Sequence, residues 1–374
     1  MSTPISIPAS LLPSDGRFGS GPSKVRKGQV DALAAAWQSY LGTSHRQQTV
    51  KSMVGRLRTG LSSLFCLPDG YEVVLGNGGS TAFWDAAAFG LIRDRAQLLS
   101  FGEFGAKFAE GVGQAPFLAD PTIIKAEAGS APAFRAEAGI DAYCSPHNET
   151  STGVAISPQR VAGADPGSLM LIDATSAAGG LAVDPGQFDV YYFAPQKSFG
   201  SDGGLWLALM SPAAIDRVSQ IKASGRWIPS FLDLQAAIDN SRLDQTINTP
   251  ALATILMMAE QVDWFNTNGG LDWCVARTTE SSSVLYTWAE ASPIASPFVA
   301  DPAHRSCVVA TIDIDPSIDA TAITKAMRAN GIVDTEPYRK LGRNQLRIAV
   351  FPAVDPDDVR ALVACIEYVV DQLG

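Results

Sequence analysis

From about residue 30 to about residue 258 the chain alternates helical apolar patterns with short, bounded apolar runs. "YEVVLGN" (71–77) leads into the helical "TAFWDAAAFGLI", and "AQLLSF", "IDAYCSP", "SLMLIDAT", "FDVYYFA" and "LWLALM" follow, each bounded by Gly, Pro, Ser or Asp. Short β-branched and aromatic runs separated by helices predict an α/β unit with a mostly parallel central sheet. Ligands bind such sheets beyond the carboxyl ends of the strands, so the polar residues after each run carry the interest. The character changes over 248–270, where "NTPALATILMMAEQVDWFNTNGG" predicts a long helix crossing between units. Beyond it "SCVVATIDI" and "NQLRIAVFPAV" read as strands and "DATAITKAMRANG" as a capped helix ending at Gly331. The last segment opens on the acids of "DPDDVRAL" and spaces Val359, Leu362, Val363, Ile366, Val369, Val370 and Leu373 as one helical face. The expected division is an N-terminal segment 1–16, a large domain 17–262 and a smaller C-terminal α+β domain 263–374.

With 374 residues, 46% of them hydrophobic, the chain can bury a sizeable core. Its formal net charge of -10 has the wrong sign for a nucleic-acid or anionic-membrane partner, so an anionic ligand needs a local cluster of cations. Five cysteines without a CxxC pair and three histidines argue against structural zinc, any other metal site and a disulfide framework. The first residues lack a basic region followed by an apolar stretch, and "LWLALM" is far too short to span a bilayer. A cytoplasmic protein is expected.

Three strand ends carry candidate chemistry. In "VVLGNGGSTAFWDAA" the glycines permit a tight turn, and Ser80 and Thr81 offer amides and hydroxyls at a helix start, a cradle suited to phosphate. A glycine turn with a Ser/Thr cap fits the same residues. Asp173 ends an apolar run, where it either caps the next segment or faces a protonated ring nitrogen. Lys197 lies 24 residues further on, at the end of "FDVYYFA", as a snorkelling surface lysine or as a reactive amine. Taken together, an amine for an aldehyde, a carboxylate for a pyridinium nitrogen and a cradle for a phosphate answer the needs of pyridoxal phosphate.

"RFGSGPSKV", "SHRQQTV", "GNGGSTAF", "PHNETSTGV", "APQKSFG" and "NTPALAT" occur in the order in which they stand in the phosphoserine aminotransferase family, within the class V pyridoxal-phosphate aminotransferases. The chain resembles that family from about residue 17 onward. The resemblance implies the aspartate-aminotransferase-like fold (fold type I), with Lys197 as the Schiff-base lysine and Asp173 beneath the ring nitrogen. It implies further cofactor contacts at Ser80, Thr81, Thr150, Gln196 and Phe104, the last at a stacking position where the family more often has Trp. Asn248 and Thr249 match a pair that reaches the cofactor phosphate from the neighbouring subunit, which implies a homodimer with shared active sites; an Asn-Thr-Pro helix start accounts for the same residues.

For substrate, the resemblance implies phosphohydroxypyruvate with glutamate, transaminated reversibly in L-serine biosynthesis. His45 and Arg46 match a phosphate-binding pair from the partner chain, Arg339 a second phosphate ligand, and Arg347 the α-carboxylate arginine. Tyr338 stands where many members have His, and Lys340 and Arg343 fit solvated loop charges equally well. Another class V aminotransferase with a different amino-acid and ketoacid pair is the alternative. A cysteine desulfurase commonly has His before its lysine, where this chain has Gln196, and a plain phosphate-binding protein leaves Asp173, Lys197 and Arg347 without a role.

Overall fold

The computed structural model describes residues 5–373, so residues 1–4 of the expected N-terminal segment lie outside the described residues. Nine strands form in the first two-thirds of the chain: β1 (Glu72–Asn77), β2 (Ala96–Ser100), β3 (Thr122–Lys125), β4 (Ala142–Pro146), the two-residue pair β5 (Asn148–Glu149) and β6 (Val154–Ala155), β7 (Leu169–Asp173), β8 (Val190–Phe193) and β9 (Leu205–Met210). Seven of them make one sheet in the order β1-β9-β8-β7-β4-β2-β3. Only β9 runs against its neighbours, so the sheet is mostly parallel as expected. Each strand that the apolar runs predict is present; β3, with its half-exposed alternation, is an additional edge strand.

Both faces of this sheet are covered, which explains why its strands read as unbroken apolar runs. Val73, Leu75, Tyr143, Ile172, Tyr191, Phe193 and Leu207 face a core that also takes in α2 (Gln48–Leu64) and α7 (Leu252–Thr267), with α1 (Lys27–Ala35) packed on α7. Val74, Leu98, Cys144, Leu171, Tyr192, Trp206 and Ala208 alternate with them to face α3 (Ser80–Gly90), α4 (Glu103–Gly113), α5 (Pro212–Ala223) and α6 (Leu234–Arg242). The predicted crossing helix is two helices, because Asn268 and Gly269, the latter at φ +120°, break α7 from α8 (Gly270–Ala291). α8 buries Cys274 in the first core and Leu285 in a third. That third core joins a three-stranded antiparallel sheet, β10 (Ala295–Pro297), β11 (Val309–Ile314) and β12 (Gln345–Ala349), to α9 (Ala320–Ala329) and α10 (Pro356–Leu373). Among the described residues no helix is long and apolar enough to cross a membrane.

One early stretch stitches the two sheets together. Val333 N–H donates to the Gly16 carbonyl at 2.8 Å and Ala349 N–H to the Phe18 carbonyl at 3.0 Å, while Ser23 N–H donates to the Gln196 carbonyl at 2.9 Å. Residues 16–23 are thus bonded at one end to the smaller sheet and at the other to the loop that carries Lys197.

β1 owes its close seat against β9 to a glycine. Gly76 faces Trp206 in the antiparallel register, and a Cβ there would come within 2.0–2.4 Å of the indole. Overpacking of this kind costs about 1–3 kcal/mol. Gly76→Ala is therefore expected to lower the thermal unfolding midpoint by several degrees, as read by calorimetry.

Candidate active site

The carboxyl ends of β1, β4, β7 and β8 open onto one cavity of about 390 Å³, lined among others by Ser80, Thr81, Phe104, Thr150, Asp173, Gln196 and Lys197. Of the candidates, these seven are brought together. Gly78, at φ +112°, turns the chain from β1 into α3. No side chain caps α3, so the amides at Ser80 and Thr81 begin a helix whose N-terminal donors have no side-chain partner. That is a site for an anion.

Asp173 is the last residue of β7 and is buried. Its Oδ1 accepts from the backbone N–H of Thr175 at 2.9 Å and from the Thr175 hydroxyl, and its Oδ2 accepts from Trp84 Nε1 at 2.9 Å. Burial raises its pKa above the ordinary carboxylate value, and the donors from Thr175 and Trp84 work against that rise. Lys197, also buried, donates from Nζ to the Ser20 carbonyl. Burial, with the positive charge of Arg347 adding to it, pushes its amine down to about 8, against the pull of Asp173 and Glu149. An appreciable neutral fraction near neutral pH makes this amine a usable nucleophile and base.

Phe104 is held by a carboxylate that sequence reasoning passed over. Glu149 is fully buried, and its Oε2 accepts from the N–H groups of Phe104 at 3.1 Å and Gly105 at 3.0 Å, in the first turn of α4. Its Oε1 accepts from Ser151 Oγ at 2.7 Å, and Ser151 Oγ accepts from Glu103 N–H at 3.0 Å. Thr150 Oγ1 donates to Ser176 Oγ at 2.8 Å.

The cations divide by what already binds them. Arg347, on β12, points Nη1 at the Thr150 carbonyl at 3.3 Å and lies 5.2 Å from the Tyr338 ring, which in turn lies 6.3 Å from the Phe104 ring. Lys340 is ion-paired with Glu103, and Arg343 with Asp313, Nε to Oδ1 at 3.0 Å. Arg46 and Arg339 are exposed, and among the described residues neither has an ion-pair partner. His45, Arg46, Asn248 and Thr249 do not line the cavity. His45 Nδ1 is 3.2 Å from Thr249 Oγ1, and Asn77, at the end of β1, donates to the Thr249 carbonyl at 3.0 Å, which gathers both implied partner-chain pairs in one exposed patch. The cavity also contains Trp84, Asn148 and Thr175, unforeseen from sequence. Trp84 had a legible signal, since four residues beyond Ser80 it shares that residue's helix face.

The aminotransferase class-V family model matches residues 138–335. Phosphoserine aminotransferase of Nocardioides sp. is 61% identical over 374 residues, covering 100% of both chains. That of Rhodococcus jostii is 61% identical over 373 residues, again with 100% of both covered. The chain belongs to the phosphoserine aminotransferase family. A solved phosphoserine aminotransferase from Cytophaga hutchinsonii superimposes with a TM-score of 0.86 over 96% of this chain and 100% of its own, at 22% identity. One from Bacillus circulans subsp. alkalophilus gives 0.82 over 96% and 99%, at 21% identity, so the likeness carries the fold. As a class V aminotransferase the chain is a pyridoxal-phosphate-dependent transaminase.

The cavity fits that cofactor. Gln196 Oε1, Asn148 Oδ1 and Arg347 Nε are buried polar atoms without a partner among the described residues, an arrangement that is costly unless a ligand supplies the missing bonds. Lys197 gives a direct test of the electrostatics. Its folded pKa is depressed from 10.5 to about 8, so below pH 8 the buried ammonium opposes folding in full, and the penalty fades as pH rises to 10.5. Cofactor-free Lys197→Met is expected to be more stable than the parent at pH 7, by on the order of 1–3 kcal/mol. Denaturant melts of both proteins should show the gap closing between pH 8 and 10.5.

Proposed function

We infer that this chain catalyses reversible transamination between L-glutamate and 3-phosphohydroxypyruvate, giving 2-oxoglutarate and O-phospho-L-serine, in cytoplasmic L-serine biosynthesis. The observation that carries the substrate assignment is the sorting of cations: among the described residues Arg347, which reaches the carbonyl of cavity-lining Thr150, and Arg339, which follows Tyr338 in an exposed strap, have no ion-pair partners, while Lys340 and Arg343 are already neutralised. A substrate bearing both a carboxylate and a phosphate needs such uncommitted charges. The cytoplasmic reading draws on five unpaired cysteines. We also propose the division into a cofactor-binding unit over 17–262 and a smaller unit over 263–374 that brings Arg339 and Arg347 to the shared site.

Each residue has a role that its surroundings suit. When bound, pyridoxal phosphate supplies an aldehyde that captures amines and a protonated ring that draws electrons from the substrate's α-carbon. Ser80, Thr81 and Gln196 hold its phosphate, Thr150 its phenolic oxygen and Phe104 its ring face. Asp173 keeps the ring nitrogen protonated. Lys197 Nζ would hold the cofactor through its aldehyde and, as a free amine beside the substrate, would take the proton from the α-carbon. Arg347 binds the α-carboxylate and so presents the breaking C–H bond to Lys197. Arg339 takes the phosphate of one substrate and the γ-carboxylate of the other.

The homodimer belongs to the same proposal. His45, Arg46, Asn248 and Thr249 cluster in the open beside β1, outside the cavity of their own chain, where a partner's site can receive them. Co-expression of Lys197→Ala with Arg46→Ala tests this, because only a site built across the interface pairs the intact lysine with the intact arginine. Random assortment then restores about one quarter of wild-type activity, and a cis arrangement restores none.

Arg339→Ala should raise KM for phosphohydroxypyruvate by about tenfold or more, whereas Arg343→Ala should change it by less than about twofold. Steady-state assays with phosphohydroxypyruvate and hydroxypyruvate check both. Equal efficiency on the two ketoacids would remove the phosphate assignment.

A further inference from the structure

Trp84 belongs to a hydrogen-bonded circuit that the implied roles leave out. Ser80 Oγ lies 2.6 Å from Thr175 Oγ1, Thr175 Oγ1 donates to Asp173 Oδ1, and Trp84 Nε1 donates to Asp173 Oδ2 at 2.9 Å. Ser80 and Trp84 are one turn apart on α3, so the circuit closes on itself through the helix. The directions are fixed by proton count. An ionised Asp173 only accepts, so the single Thr175 hydroxyl proton goes to it, and the Ser80 proton must go to Thr175. The first turn of α3 therefore serves both ends of the cofactor site, its amides facing the phosphate cradle and its side chains tied to the acid.

The indole is held as firmly as the carboxylate. Trp84 is buried and stacks on Phe108 with ring centres 6.1 Å apart and planes 19° apart. Phe104, at the position where the family more often has Trp, brings no N–H, so the indole N–H in this cavity comes from Trp84.

We propose that Trp84 is a positioning residue for the transamination: its N–H fixes Asp173 Oδ2 and keeps the carboxylate ionised, and so sets how strongly Asp173 supports a proton on the ring nitrogen of pyridoxal phosphate. This rests on the assignment of Lys197 and Asp173 to that cofactor. The other ionisable groups around Asp173 are Tyr191 and Tyr192 on β8, His147 just after β4, Glu149 on β5, and Lys197, with Cys144 on β4 acting on Tyr192 and Arg347 acting on Lys197 from β12. Substitution of Trp84 leaves all of them in place, and of them Tyr192 is the one on which Trp84 also acts.

Trp84→Phe keeps an aromatic ring against Phe108 and removes only the N–H. Asp173 then binds its proton more tightly and the ring nitrogen loses positive charge, so the pH titration of the visible band of enzyme-bound pyridoxal phosphate moves its midpoint upward by at least about half a unit. Trp84→Leu, which also lacks the N–H, must move it the same way. In the cofactor-free protein the sign follows from linkage. A carboxyl whose pKa rises on folding contributes stability at low pH and loses it as pH climbs through the folded value, so loss of the donor hurts most where Asp173 is ionised. The difference in unfolding midpoint between wild type and Trp84→Phe should therefore widen from pH 4 to pH 8. An unmoved spectroscopic midpoint, or a midpoint difference in unfolding that is the same at every pH, reduces Trp84 to packing and overturns the proposal. A wild type without a titrating visible band is instead a failure of the Lys197 assignment, and the cofactor-free comparison still decides whether Trp84 governs Asp173.

Discussion

Everything around the cavity depends on keeping one carboxylate charged where water does not reach it. Asp173 gains its charge-stabilising bonds from two directions, Thr175 in its own turn and Trp84 across on α3. Glu149 faces the same difficulty and meets it with backbone amides at the start of α4, which fixes Phe104 as a by-product. Two buried carboxylates are set against two largely buried cations, Lys197 and Arg347. Each sits on a different element, so the charges balance only once both sheets are in place. Buried charge thus links the local chemistry to the assembly of the whole chain.

The sheet was legible because it is covered on both faces. Doubly buried strands such as Leu205–Met210 show as continuous apolar runs, and the helices between them supply the second period. β3, β5, β6 and β10 escaped because two to four residues at an edge carry too little pattern to separate them from loop. Asp173 and Lys197 stood out for the converse reason, as charges ending runs that otherwise exclude charge. Glu149 did not, since a glutamate in a polar loop looks ordinary until its hydrogen-bond partners are known, and Trp84 showed only the helix face it shares with Ser80, not its bond to Asp173. His45 and Thr249 lie 204 positions apart, and nothing in local pattern brings such residues together. Only the likeness to other chains pointed to them.

The strap from Glu336 to Arg343 shows how similar side chains acquire different duties. Lys340 and Arg343 are each matched to a carboxylate on a neighbouring element, Glu103 on α4 and Asp313 on β11. Arg339, immediately before Lys340, is left facing solvent. The paired residues tether the segment at two points, and the tether determines where the unpaired guanidinium stands. Tyr338 adds an aromatic surface between Phe104 and Arg347, where its ring limits the orientations open to the arginine.

Residues 16–23 are made early, but their hydrogen-bond partners at Val333 and Ala349 are made last. A nascent chain that has completed the large sheet can hold this stretch at one end only, where Ser23 N–H meets the Gln196 carbonyl. The Gly16 and Phe18 end is anchored only once the smaller sheet has been made, so the final seating of the stretch that carries Ser20 over Lys197 waits for the last part of the chain.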